Sequence, residues 1–222
     1  MSGFFEPPPP AEDPPPRPPS PPWLRAPAGT LPGVVALELV VAATERVAVC
    51  VTRIGAYPSG FELDLVTMAG GESDELDPML FGGRRGPGPR RGRDGGIPAD
   101  MLRFGVEFAD GSKATNTAGR PGGADAEPSG PVLIGGGGGG GGGNWHQSIW
   151  IWPLPPPGPL TFVCEWPAAG VALTRHEIDA QLVLDAASRS REIFSERGRG
   201  GGSVRVHSYG LASQAGPGSG ER

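Results

Sequence analysis

The chain of 222 residues is poor in the residues that most often carry catalysis or bind metal ions. It contains two cysteines and three histidines, and Lys113 is its single lysine. None of His146, His176 and His207 has another histidine or a cysteine at the short spacing of a zinc site. This pattern excludes the common zinc motifs, and we expect neither a resident metal nor a cofactor.

Long apolar stretches are also missing from the sequence. No stretch approaches the roughly 20 apolar residues that a membrane-spanning helix needs. Residues 1–6 and the prolines after them contain neither the basic region nor the apolar run of a signal peptide. The sequence therefore predicts a soluble, cytoplasmic protein without membrane contact.

The familiar catalytic motifs are absent as well. The chain has neither the GxSxG motif of serine hydrolases nor the phosphate-binding GxxxxGK[ST] loop. One alternative stays open, because Cys164 and His146 lie on neighbouring predicted strands with Glu165 close by, which indicates a small-molecule or hydrolytic site. Cys164, however, belongs to an apolar strand face, where forming a thiolate is costly.

Glycine and proline are abundant, with 39 and 28 residues respectively, and they cluster outside the segments that have regular hydrophobic patterns. Such tracts are typical of disordered regions. We expect a disordered proline-rich tail over 1–32, a single β-rich domain over 33–196, and a Gly/Ser/Arg-rich tail over 197–222. Within the domain, flexible insertions are expected at about 70–98 and 117–143.

Seven segments have the residue types or the alternating polarity of β-strands. In one of them Phe61, Leu63 and Leu65 alternate with acidic residues. Short connections favour antiparallel pairing, and Asp110-Gly111 is a strong hairpin signal. We predict a mainly β fold, with a two-layer antiparallel β-sandwich-like core of about seven strands and one C-terminal helix. The predicted strands are 34–41, 47–54, 61–68, 102–108, 113–116, 145–152 and 160–166.

The predicted helix begins at Thr174. Thr174 and Glu177 have the spacing of a capping box, and Leu173 and Ile178 have that of a hydrophobic staple. Apolar residues further along recur near one stripe, so one side of this helix is expected to pack and the other to be exposed. On this interpretation, Thr174→Ala removes the cap and costs about 1 kcal/mol.

Nine consecutive glycines occupy residues 135–143. Such a run contains the GxGxxG pattern of dinucleotide-binding loops trivially, without a preceding strand and an opening helix at the required positions. We therefore expect a flexible tether here rather than a loop that binds phosphate.

A group of arginines lies in the first insertion, where RRGPGPRRGR covers residues 84–93. This group could hold phosphates by charge, so weak nucleic-acid contact is a further alternative function. It is the less favoured one, because no aromatic residues are interleaved with the arginines. The arginines are Arg84, Arg85, Arg90, Arg91 and Arg93.

Four of the five tryptophans lie between residues 145 and 166. Strand parity places Trp145 on the opposite face from Trp150 and Trp152, so one set is expected to line the core and the other to cover it from outside. Aromatic residues are favoured at interfaces. If Trp150 and Trp152 are the exposed pair, they and the arginines of 84–93 are the candidate interaction surface, although large aromatic residues favour the interpretation of this pair as core residues.

Several phrases of the foldable half of the chain resemble a group of uncharacterised actinobacterial proteins. They are AVCVTR (48–53), AYPSGFE (56–62), MLRFGV (101–106) with ADGSKATN (109–116), and WPLPPPGPL (152–160) through Trp166-Pro167. The resemblance implies no activity, cofactor or partner. From the residues themselves we favour a non-enzymatic interaction or accessory module that uses a sheet face or edge to bind a protein partner.

Overall fold

The computed structural model describes residues 20–70, 96–119 and 126–194. Within these residues the chain forms eleven strands and one α-helix, α1 (Gln181–Ser188), together with a 3-10 turn at Pro167–Ala169. The strands are β1 (Thr30–Leu31), β2 (Gly33–Ala43), β3 (Val47–Tyr57), β4 (Gly60–Ala69), β5 (Arg103–Glu107), β6 (Lys113–Thr115), β7 (Val132–Gly141), β8 (Asn144–Trp152), β9 (Pro159–Trp166), β10 (Val171–Asp179) and β11 (Arg191–Glu192).

Two main sheets form the layers of the fold. One is five-stranded in the order β2-β3-β4-β8-β7, and the other is four-stranded in the order β10-β9-β5-β6. Every strand pair is antiparallel, and β1 and β11 form a small third sheet. The predicted mainly β fold with one helix is confirmed, and all seven predicted strands are present.

The core lies between the two sheets and is built from alternating strand residues. Phe61, Leu63 and Leu65 of β4 are buried in it, as the alternation of the sequence predicts. From the other sheet, Leu160 and Phe162 of β9 enter the same core, with Cys164 and Trp166 on the same strand face. Helix α1 adds its buried residues Val183, Ala186 and Ala187.

Two backbone features shape the five-stranded sheet. The β3–β4 register shifts between Val51 and Arg53, so β3 carries a bulge that leaves Thr52 exposed beside Arg53. The β7–β8 hairpin turns at Gly142 and Gly143, whose φ angles are 58° and 78°. Two consecutive residues with positive φ are what a tight hairpin requires, and glycine adopts them without strain.

The predicted helix start at Thr174 is wrong. Thr174 lies in β10, where its hydroxyl donates to the carbonyl oxygen of Cys164 at 3.3 Å, and α1 begins only at Gln181. Leu173 is 61% exposed and is no staple residue. Residues 171–179 also alternate in exposure, and their backbone pairs with β9, so the tertiary pairing overrides the local capping pattern. Thr174→Ala therefore removes no helix cap.

The glycine run is likewise different from the expected tether. Gly135–Gly141 form the greater part of β7, which pairs with β8 from Val132↔Trp152 to Gly141↔Asn144. The pairing is close: a Cβ added to Gly140 would lie 1.9 Å from the carbonyl oxygen of Asn144. The glycine composition alone indicates a flexible segment. A backbone without side chains can, however, approach a neighbouring strand closely, and here that strand is β8.

The residues before β2 also have a defined place. The segment 20–31, which the sequence assigns to the proline-rich tail, contains β1 and packs partly against the five-stranded sheet through Leu24 and Ala26. Among the described residues, no helix is both long and apolar enough to cross a membrane.

Candidate functional site

The outer faces of the two sheets differ in chemistry. On the four-stranded sheet, charged side chains form cross-strand ion pairs: Arg103 with Glu165 at 2.5 Å, Lys113 with Glu107 at 3.6 Å, and Arg175 with Glu107. Half-exposed pairs of this kind contribute little to stability, but they balance one another's charge. This face is therefore typical of a solvated sheet surface.

The five-stranded sheet carries an open cleft on its outer face. The cleft has a volume of about 440 Å³ and crosses the sheet from the β3 bulge to the glycine strand β7. Its polar residues come from three adjacent strands. The lining residues are Thr52, Asp64, Gly137, Gly138, Gly139, His146, Gln147 and Ser148.

The glycines of β7 create this cleft. A Cβ added at Gly137 or Gly139 would meet no atom within 4 Å, so at these positions the missing side chains leave open space. At Gly138 the situation is reversed, because an added Cβ would lie 2.8 Å from the carbonyl oxygen of His146 and 2.9 Å from the ring of Trp145. Alternate glycines therefore either permit close contact with β8 or keep the cleft open.

Three of the polar residues of the cleft, Thr52, Asp64 and Ser148, have hydrogen-bond partners. Arg53 donates from Nε to Asp64 Oδ2 at 2.7 Å and from a terminal nitrogen to Oδ1 at 3.3 Å, a forked arrangement. This hydrogen bond raises the pKa of the Arg53 guanidinium. The Ser148 hydroxyl donates to the carboxylate of Glu62. These bonds fix part of the polar surface of the cleft, and its serine donates to the Glu62 carboxylate rather than to a histidine.

The structure does not bring Cys164 and His146 together. His146 is exposed on β8 in the five-stranded sheet, whereas Cys164 is 0% exposed on β9 in the other sheet. The expectation that the two lie on adjacent strands is wrong, because the proline-rich connection carries the chain from one sheet to the other. Cys50 and Cys164 are both buried free thiols, so they form no disulfide.

Burial controls the chemistry of Cys164. Desolvation, aided by the nearby Glu165 carboxylate, raises the pKa of the Cys164 thiol from 9.0 to about 12. A thiol with so high a pKa stays protonated at neutral pH and is a poor nucleophile. Burial also raises the pKa of Cys50.

The raised pKa of Cys164 predicts a loss of stability at alkaline pH. Because the folded-state pKa lies above the unfolded-state one, the thiol's contribution is complete below pH 9 and is lost as the pH rises toward 12. As the pH rises from 8.5 to 10.5, the Cys164 thiol ionises in the unfolded chain but not in the folded one. We expect this difference to lower the free energy of unfolding by about 2 kcal/mol. Urea unfolding at both pH values should show this loss in the wild type and in Cys50→Ala, whereas the loss in Cys164→Ala, where only Cys50 remains, should be about 2 kcal/mol smaller than in the wild type. An equal loss in all three proteins would contradict the assignment.

Trp150 and Trp152 lie on the outer face of the five-stranded sheet, at the end opposite the hairpin turn. Trp150 is only 5% exposed and Trp152 is half-buried, because residues of the segment before β2 cover them. Trp145 lies on the other strand face, in line with the buried Ile149 and Ile151. The two tryptophans thus cover the sheet from outside.

Arg84, Arg85, Arg90, Arg91 and Arg93 lie outside the residues that the structure describes. Over the described ranges, no three histidine, cysteine, aspartate or glutamate side chains converge as metal ligands do.

Two structural features are not predicted from the sequence. One is the edge strand formed by the glycine run, and the other is the contact between the segment before β2 and Trp150. A signal for the first was present, since Ile134 and the apolar Val132-Leu133 lead directly into the glycines and a Gly-Gly pair precedes β8.

Comparison with known proteins adds nothing to this geometry, as no family model, curated protein or solved structure matches the chain.

Proposed function

We propose that the protein is a non-enzymatic interaction module that binds an extended segment of a protein partner along β7. The observation that carries the proposal is that β7 ends the five-stranded sheet and that Gly135–Gly141 are exposed along it. An edge strand offers backbone N–H and C=O groups to an incoming strand. The bound segment would become a sixth strand of this sheet.

The composition of β7 supports this function. Proteins usually protect an exposed edge with lysine, other charges or proline, because a bare edge pairs with foreign strands. Residues 135–141 carry no side chains at all, so neither charge nor bulk opposes an incoming backbone. The register shift between Gly135 and Gly138 interrupts the ladder to β8, which leaves Gly138–Gly141 as the regular part of the edge.

The adjoining cleft would provide selectivity. In an extended segment alternate side chains point to the same sheet face, so a strand added at β7 would direct every second side chain toward the cleft. Asp64, His146 and Ser148 line it, and their polar groups favour a polar side chain on the partner. Backbone pairing then supplies affinity and the cleft supplies discrimination.

We place this module in the cytoplasm. Both cysteines are free thiols, which agrees with a reducing compartment.

The glycines of the cleft allow a sharp test. We expect the double variant Gly137→Lys with Gly139→Lys to reduce recovery of specific partners at least tenfold, because two lysines fill the cleft and protect the edge. Both positions have open space, so the fold should survive. The measurement is quantitative affinity enrichment from cells that naturally contain the protein.

A matched control carries the same change of charge elsewhere. Gly119 and Gly130 also have no atom within 4 Å of an added Cβ and lie in loops, so Gly119→Lys with Gly130→Lys should leave partner recovery unchanged. Equal recovery by both double variants would contradict binding at β7. If no partner is recovered while the purified chain hydrolyses an ester or amide and Cys164→Ser abolishes that turnover, the hydrolytic alternative replaces this proposal.

A further inference from the structure

A second hydrophobic cluster lies on the same sheet face, beyond the cleft. Tyr57, Ile134, Trp150, Trp152 and Val132 form what we call the aromatic groove. The rings of Tyr57 and Trp150 meet edge to face, with centroids 5.7 Å apart and an interplanar angle of 69°. This edge-to-face geometry is favoured for aromatic pairs.

The chain's own residues occupy the aromatic groove. The indole N–H of Trp150 donates to the carbonyl oxygen of Pro22 at 3.0 Å. The Trp23 ring meets Trp152 edge to face at 6.2 Å, and Leu24 packs against the groove. A hydrogen bond from the Leu24 N–H to the Pro21 carbonyl closes a turn that presents Trp23. A proline-rich segment is thus held by an aromatic surface and an indole donor.

This combination can recognise a Pro-Pro turn that is followed by apolar residues. Two consecutive prolines restrict the backbone before binding, so the segment loses less conformational entropy when it binds. The proline carbonyl remains a hydrogen-bond acceptor, and an indole N–H such as that of Trp150 is a suitable donor. In this chain Pro22 supplies the acceptor, and Trp23 and Leu24 supply the apolar contacts with the aromatic groove.

We propose that the aromatic groove is a binding site for proline-rich segments of the Pro-Pro-Trp-Leu type, and that residues 21–24 occupy it within the same chain. The internal segment is an imperfect ligand. The indole nitrogen of Trp23 is buried and has no hydrogen-bond partner among the described residues. Residues 21–24 belong to the same chain as the groove, and this covalent connection gives them a high effective concentration that compensates for the missing hydrogen bond. A segment from another polypeptide must therefore compete with them.

The aromatic groove and the β7 edge are separate sites. The groove uses the first residues of β7, whereas the proposed edge uses the glycines nearer the turn. Failure of one proposal therefore leaves the other intact, and the variants that test them do not overlap.

The test uses the full chain with its internal segment loosened. In the variant Trp23→Ala with Leu24→Ala, we expect a labelled peptide of sequence PPSPPWLRAP, residues 18–27, to bind at least tenfold more tightly than it binds the wild type. Fluorescence anisotropy measures the affinity. The same peptide with alanine in place of tryptophan is the control and should bind at least tenfold more weakly than the parent peptide.

A second change addresses the hydrogen bond. Trp150→Phe in the loosened background keeps an aromatic ring but removes the donor to Pro22, and it should weaken peptide binding about tenfold. Leu24→Asp alone weakens the packing of the internal segment by placing a charge against the aromatic groove. This variant must also bind the peptide more tightly than the wild type does. The proposal is overturned if the loosened chains melt cooperatively yet bind the peptide no better than the wild type, or if Trp150→Phe leaves binding unchanged.

Discussion

Phe162→Ala is expected to lower the free energy of unfolding by about 4 kcal/mol, the largest effect of any substitution considered for this protein. Phe162 is 0% exposed and lies on β9, which pairs with β10 on one side and β5 on the other. Its ring stacks on Phe104 with centroids 6.3 Å apart. Truncation removes buried apolar surface and leaves a cavity between two sheets that cannot close around it.

Val163 provides the matched control on the same strand. It is half-buried and points to the outer face, so Val163→Ala should cost less than about 1 kcal/mol. Denaturant unfolding of both variants measures the difference. Similar losses in the two variants would mean that β9 is not the centre of the core.

Gly33→Ala is expected to lower the free energy of unfolding by about 3 kcal/mol, although it adds a single methyl group. Gly33 begins β2, and a Cβ at this position would lie 1.7 Å from the carbonyl oxygen of Ala186 in α1. The neighbouring Val34 carbonyl also accepts a hydrogen bond from Arg189 at 3.1 Å, so the helix end is attached to this strand. The added methyl must therefore displace backbone on one side or the other.

The control for this substitution is Gly137→Ala, which adds the same methyl group to a strand at a position with open space. It should change the free energy of unfolding by less than about 0.5 kcal/mol, or raise it slightly, since alanine restricts the unfolded chain more than glycine does. Thermal unfolding of the two variants in parallel tests the contrast. A large loss at both positions would indicate a general intolerance of glycine replacement.

Much of the fold could be predicted because the sequence alternates where one strand face is buried. Phe61, Leu63 and Leu65 show this pattern, and Asp110-Gly111 marks the β5–β6 hairpin, where the Gly111 φ of 82° fits a turn glycine. Local patterns of this kind suffice when the partner strand is next in sequence.

The errors arise where a distant partner decides the structure. Thr174 and Glu177 satisfy the spacing of a capping box, but β9 binds the backbone of this segment and forms a strand from it. The glycine run has no pattern of its own, and only its pairing with β8 orders it. Neither partner can be identified from the local residues, because the choice depends on pairing energies that the segment alone does not determine.

The candidate site was only partly predictable for the same reason. Trp150 and Trp152 were identified from residue type, but the segment that covers them lies more than a hundred residues earlier in the chain. The cleft is built from missing side chains at Gly137 and Gly139. A site defined by absent atoms leaves no chemical motif in the sequence.

The uniform composition of β7 has a consequence for variation in its length. Side chains normally fix the alignment of two strands, and a slip by one residue moves each of them to the wrong face. Gly135–Gly141 have no side chains that a slip would move to the wrong face. Only the contact of Ile134 with Trp150 and the turn at Gly142–Gly143 therefore hold the alignment of β7 with β8. Chains with a few more or fewer glycines should therefore keep the same sheet and differ only in how far the hairpin tip projects.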